Sequence, residues 1–147
     1  MLISNIKLQN FRNYKNLDLK LNKGINIFFG DNAQGKTNIL ESIFLCSIGK
    51  SFRTNKEKEV IKIGESYSKV TINYEKSDRN GKIDYELSDK KSINVNGVKI
   101  KKLSELLGNI NIVIFTPDDI NILKGRTCWT KKISRYDDRT IETSICI

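Results

Sequence analysis

Residues Gly30-Asp31-Asn32-Ala33-Gln34-Gly35-Lys36-Thr37 fit the pattern GxxxxGK[ST], and they lie between an apolar run, Ile25-Asn26-Ile27-Phe28-Phe29, and a stretch with helical periodicity. A turn built on Gly30 and Gly35 can point several backbone N–H groups into one concavity at a helix N-terminus, where the dipole also favours an anion. Lys36 adds a mobile point charge for the β- and γ-phosphates of a nucleotide. The Thr37 hydroxyl suits the shell of a Mg²⁺ ion that keeps most of its waters. A strand, a glycine turn and a helix in this order constrain the chain to an α/β fold with a phosphate loop. They make all eight residues candidates for nucleotide binding, with Thr37 also a candidate metal ligand.

A chain of 147 residues suits one domain of ordinary size, and 38% hydrophobic residues is somewhat lean for its core. No stretch is long and apolar enough to span a bilayer. The start, Met1-Leu2-Ile3-Ser4-Asn5, lacks a basic segment followed by an apolar one, so a cytoplasmic location is expected. Three cysteines, Cys46, Cys128 and Cys146, are too few and too scattered for a disulfide framework or a zinc site. With no histidine in the chain, imidazole catalysis is excluded.

A net charge of +9 favours a polyanion as partner, because lysines that neutralise phosphates release condensed counterions. Composition weakens that inference: lysine, isoleucine and asparagine make up 58 of the 147 residues, as AT-rich coding DNA would impose. Nor do the lysines form one run. Lys99, Lys101 and Lys102, or Lys50 with Arg53, Lys56 and Lys58, read equally well as solvated faces.

Ile6 and Leu8 alternate with polar residues, as do Leu17, Leu19 and Leu21, which predicts two half-buried strands flanking Phe11-Arg12-Asn13-Tyr14. Residues 25–29 read as a strand covered on both faces. After Lys36, the residues Ile39, Leu40, Ile43, Phe44 and Ile48 form one helical stripe, with Gly49 placed to end it in the left-handed conformation. Residues 50–58 read as an exposed loop. Val70, Ile72 and Tyr74, then Ile83, Tyr85 and Leu87, predict a hairpin connected through Asn80-Gly81. Asn96-Gly97 predicts a second tight reversal, so residues 67–101 read as an antiparallel β subdomain. Leu103, Leu106 and Leu107 suggest a short helix ended by Gly108, and residues 110–115 another buried strand. Thr116-Pro117-Asp118-Asp119 opens a further helix that would close at Gly125.

An aspartate after an apolar strand is also what the second element of a phosphate-loop ATPase requires, to order the magnesium shell. Two residues, one of them proline, intervene before Asp118, so the helix-start reading is favoured. Asp84 and Glu86 fall on hairpin strands, and Asp137-Asp138 follow Ser134-Arg135-Tyr136. No catalytic acid is assigned.

Four segments taken together, Leu8-Gln9-Asn10-Phe11-Arg12-Asn13-Tyr14, the loop from Gly30 through Asn38, Gly49-Lys50-Ser51-Phe52-Arg53-Thr54 and Phe115-Thr116-Pro117-Asp118-Asp119, closely resemble the RecF family of bacterial recombination mediators. The first two are shared with SMC-like and ABC-type ATPases, whereas the Asp-Asn-Ala-Gln loop, Ser-Phe-Arg and Phe-Thr-Pro-Asp-Asp are narrower. The resemblance covers residues 1 to about 125. It implies a cytoplasmic DNA replication and repair protein with an SMC-like ATPase head. Such a protein binds ATP and Mg²⁺, acts at single-stranded or gapped DNA in recombinational repair and the SOS response, closes as an ATP-dependent homodimer, and works with RecO and RecR. It also implies that Arg12 approaches the nucleotide from the neighbouring strand end; without it Arg12 reads as a surface arginine near Tyr14. Arg53 reads as a nucleotide or DNA contact, or as a solvated loop arginine.

After Gly125 the sequence departs from that family, with no basic segment, signature motif or acidic strand following. Residues 126–147 hold three of the six arginines, four of the eight threonines, the only tryptophan and two of the three cysteines. The expectation is a truncated or frame-disrupted head with a divergent tail. Rival readings are an inactive fragment retaining at most nucleotide binding, a nuclease-linked ABC-type ATPase, and a basic DNA-binding module indifferent to nucleotide.

Overall fold

In the computed structural model, which describes residues 1–77 and 79–115, six antiparallel strands form one sheet with an α-helix against one face. The strands are β1 (Leu2–Phe11), β2 (Tyr14–Lys20), β3 (Ser68–Lys76), β4 (Arg79–Leu87), β5 (Lys91–Val95) and β6 (Val98–Lys99), in the order β2-β1-β3-β4-β5-β6. The connection from β2 to β3 carries the phosphate loop and α1 (Lys36–Ile48).

Period-two alternation explains why the sheet has a core face. Leu19, Ile6, Ile72, Ile83 and Val95 stand opposite one another across five strands, and Leu17, Leu8, Val70, Tyr85 and Ile93 form the next rung. α1 covers these rungs with Ile39, Ile43, Leu45 and Cys46, all buried. It ends as its sequence predicts: Gly49 takes φ +78 and donates its N–H to the Leu45 carbonyl at 2.8 Å. The buried surface of α1 only partly matches the predicted apolar stripe: Ile39 and Ile43 are buried, Leu40, Phe44 and Ile48 are half-buried, and the buried set is completed by Leu45, Cys46 and the polar Glu41, Ser42 and Ser47.

The Asn96-Gly97 reversal is as predicted, with φ +52 and +81 joining Val95 to its partner Val98. The other hairpin differs. Pairing runs to Lys76↔Arg79, so the chain reverses between these two residues, ahead of Asn80-Gly81, which lie inside β4. Gly81 serves the packing instead: it faces Tyr74, and a Cβ there would stand 2.2 Å from the Tyr74 ring. The strands of residues 67–101 are antiparallel as expected, and β3 pairs with β1 from Lys69 to Glu75, so they extend the N-terminal hairpin into one sheet.

Two predicted buried strands are absent from the sheet. Residues 25–29 take no regular structure, and Ile25, Ile27 and Phe29 are 73%, 77% and 91% exposed, while Phe28 packs against the core. A strand buried on both faces needs neighbours to pair its backbone, and no described strand lies alongside. Residues 111–115 are likewise irregular: Ile110 is buried and Ile112 partly so, but Phe115 is exposed. The leucines after β6 form a 3₁₀ turn, Leu103–Glu105, with Leu106 buried beneath α1's end and Gly108 at φ +84. The predicted helix from Thr116 to Gly125, Asp118, and the tail at 126–147 lie outside the described residues.

Candidate functional site

The loop closes as its glycines require. Gly30, Ala33 and Gly35 take φ of +145, +66 and +103, and α1 starts immediately after Gly35. No side chain caps that helix start and no acidic residue lies in its first turn, so its N–H groups and dipole are left for an external anion. The Lys36 ammonium folds back over the loop, donating to the carbonyls of Gly30 at 2.7 Å and Asp31 at 2.6 Å. Residues Gly30, Asp31, Asn32, Ala33 and Gln34 are exposed, as is Thr37 in the first helical turn. The structure thus brings together all eight residues of the motif.

The β1–β2 turn braces the loop from behind. A Cβ on Gly35 would lie 2.8 Å from both the Asn13 Oδ1 and the Tyr14 hydroxyl. Asn13 and Tyr14 also reach the carbonyls of Ala33 and Gln34 at 3.5 and 3.4 Å, long contacts that position more than they bind. Burial pushes the Tyr14 phenol above its ordinary range, so it stays a neutral donor beside the glycine loop.

Arg12 sits in that turn at φ +54, and its guanidinium is engaged within the protein. Nε and Nη2 donate to Glu41 at 3.0 and 2.6 Å, and Nη1 donates to the Glu59 carbonyl at 2.8 Å. A nucleotide contact by Arg12 therefore has to share or displace one of these bonds. Glu41 is fully buried on α1, and Ser51 Oγ and Arg53 Nη1 also donate to it, the latter at 3.4 Å. Arg53 bonds Asn38 Oδ1 at 2.7 Å, and Asn38 Nδ2 bonds Asn13 Oδ1 at 2.8 Å.

Glu41 is the residue that sequence reasoning missed. A signal existed: it is the one charged residue in the run Ile39-Leu40-Glu41-Ser42-Ile43-Phe44-Leu45, where a helix facing a sheet has no use for an unpaired carboxylate. Among the described residues no group of three His, Cys, Asp or Glu side chains could hold a metal. One hydroxyl, from Thr37, nonetheless fits a Mg²⁺ that takes its other ligands from phosphate oxygens and water.

Sheet, helix and loop together define the head of a phosphate-loop ATPase. A family model described as an AAA domain matches residues 5–144, and the chain belongs to that AAA-domain family. Within it the likeness is to RecF. The DNA replication and repair protein RecF of Clostridium novyi (strain NT) is 52% identical over 136 residues, which is 90% of this chain and 37% of that protein. A structure of the recombination mediator protein RecF with ATP, in the RecFOR pathway, matches 83% of this chain and 34% of its own, with a TM-score of 0.78 at 41% identity. A structure from work on ATP-driven dimerization and DNA-stimulated activation of SMC ATPases matches 90% of this chain and 96% of its own, with a TM-score of 0.72; at 21% identity this is a likeness of fold alone. The chain is thus a RecF-like ATPase head segment, spanning 37% of the length of that Clostridium novyi relative.

Proposed function

We propose that this chain binds ATP with Mg²⁺ through Gly30, Asp31, Asn32, Ala33, Gln34, Gly35, Lys36 and Thr37, as the nucleotide-binding part of a RecF-like DNA replication and repair protein. The observation that carries this is the uncapped start of α1 behind a glycine loop over which the Lys36 ammonium is already held. Likeness to RecF, one structure of which holds ATP, supports the choice of nucleotide. Thr37 is the proposed protein ligand of Mg²⁺, and Arg12 the proposed contact from the β1–β2 turn. Turnover is not part of the proposal, since binding energy from the loop alone lowers no barrier.

The same likeness supports action at single-stranded or gapped DNA, in recombinational repair and the SOS response, in the cytoplasm, with RecO and RecR as partners and an ATP-dependent homodimer as the working form. None of the described helices is long and apolar enough to cross a membrane. The charge distribution narrows where DNA would bind. On the sheet face away from α1, Lys7 pairs with Asp18 at 2.9 Å, Lys82 with Asp84 at 3.0 Å and Lys69 with Glu86 at 3.7 Å. That face is charge-balanced, so DNA contact falls to other surfaces.

Titration calorimetry with MgATP tests the site. The expected Kd is about micromolar or weaker, and Lys36→Ala loses most of the affinity. Equal affinity in both proteins would refute the loop assignment.

A further inference from the structure

We propose that Glu41 is a positioning residue of the nucleotide site, its buried carboxylate clamping the β1–β2 turn and the Ser51-Phe52-Arg53 segment onto the phosphate-loop helix. The inference rests on the nucleotide reading of the loop and adds a residue outside the loop motif.

Geometry carries it. Asn38 and Glu41 are three residues apart on α1 and so share a face. Consecutive residues of the β1–β2 turn engage that face, Asn13 at Asn38 and Arg12 at Glu41, while Arg53 spans both acceptors. Arg12 meets the carboxylate as a two-pronged fork, which fixes orientation as well as distance. That grip holds a bulky residue at φ +54, a conformation that costs free energy when nothing enforces it.

The third segment is held just as firmly. Ser51 Oγ donates to Glu41 and accepts the N–H groups of Arg53 and Thr54 at 3.0 and 3.3 Å, forming a local turn. Phe52 meets Phe44 of α1 edge to face, with ring centres 5.4 Å apart. The Ser-Phe-Arg segment therefore has a structural explanation: its serine and phenylalanine dock on α1, and its arginine is delivered to Asn38, next to Thr37.

The clamp acts on the site through the back wall of the loop. Asn13 and Tyr14 abut Gly35 from the turn that Arg12 anchors to Glu41, with the Asn38–Asn13 bond and the Phe11–Tyr14 pairing as further supports. A neutral side chain at position 41 cannot hold two guanidinium groups, so the turn loosens and the loop amides lose their fixed aim.

Glu41→Gln keeps the shape and removes the charge. MgATP affinity, measured well below the thermal midpoint, is expected to fall about tenfold, within the range for coupled contacts. With Arg12→Gln added, affinity is expected to fall no further than in the weaker single variant; additive losses would overturn the clamp. Wild-type affinity in folded Glu41→Gln overturns the proposal as well. Where Glu41→Gln fails to fold, Ser51→Ala replaces it, with weakened binding supporting the clamp and unchanged binding overturning it. Trypsin cleavage after Arg53 in the nucleotide-free protein reads the clamp independently. Faster cleavage in the variant upholds it and an unchanged rate overturns it, even if the wild-type chain binds no MgATP and the loop reading itself fails.

Discussion

Gly35 does two things that no other residue type can do together. It takes φ +103 and lets Asn13 and Tyr14 approach to where a Cβ would lie 2.8 Å from their polar atoms. Gly35→Ala therefore forces strain of about 1–3 kcal/mol and pushes the turn off the loop. The expected outcome is a lower thermal midpoint together with weaker MgATP binding, read by thermal unfolding and calorimetry on one preparation; unchanged affinity would show that the wall behind the loop does not matter. The turn itself was legible in the sequence, because glycines at positions 30 and 35 answer the positive φ that the backbone takes there before α1 begins. Glu41 was not legible in the same way. A carboxylate in an apolar run announces a missing partner but not which of six arginines supplies it, and the answer, Arg12 with Arg53, depends on a turn and a loop meeting one helix face.

At the scale of elements, the strands follow from periodicity, since each buries one face and leaves the other to water, whereas α1 is buried or half-buried all the way from Asn38 to Ile48. Residues 25–29 show where that logic stops. Their apolar content marks a segment suited to burial, yet Ile27 and Phe29 face solvent because no described strand pairs with them. Ile27→Ser with Phe29→Ser should therefore change the unfolding free energy by no more than about 0.5 kcal/mol, while reducing self-association at high concentration. Light scattering and thermal unfolding check this; a large loss of stability would mean the segment is packed in solution. The shifted hairpin has a similar lesson. Asn-Gly is a strong reversal signal, but the room Gly81 leaves for the Tyr74 ring places it within β4.

Across the whole molecule, the core between sheet and helix holds two groups that make stability depend on alkaline pH. Burial, with Asp84 nearby, pushes the Cys46 thiol well up, and burial, with Glu57 and Cys46 nearby, does the same to the Tyr85 phenol. Both are neutral when protonated, so the folded state keeps protons that the unfolded chain releases. Their contribution is complete below the unfolded pKa values, about 8.5 for cysteine and 10 for tyrosine, and is lost as pH rises beyond them. Among the described residues, the Tyr85 hydroxyl is the one buried side-chain polar atom without a hydrogen-bond partner. Tyr85→Phe should accordingly be neutral or stabilising at pH 7 and should flatten the alkaline decline; a loss above about 1 kcal/mol at pH 7 would contradict the unpaired hydroxyl. Denaturant unfolding from pH 7 to 10.5 gives both readings. By itself the sequence determined the phosphate loop, the helix that follows it and the alternating strands, because each is specified by side chains within a few residues of one another. Only the tertiary structure decided that the two hairpins join one sheet, that residues 25–29 stay outside it, and that Glu41 gathers Arg12, Ser51 and Arg53, because each outcome depends on which distant segment supplies the pairing edge or the opposite charge.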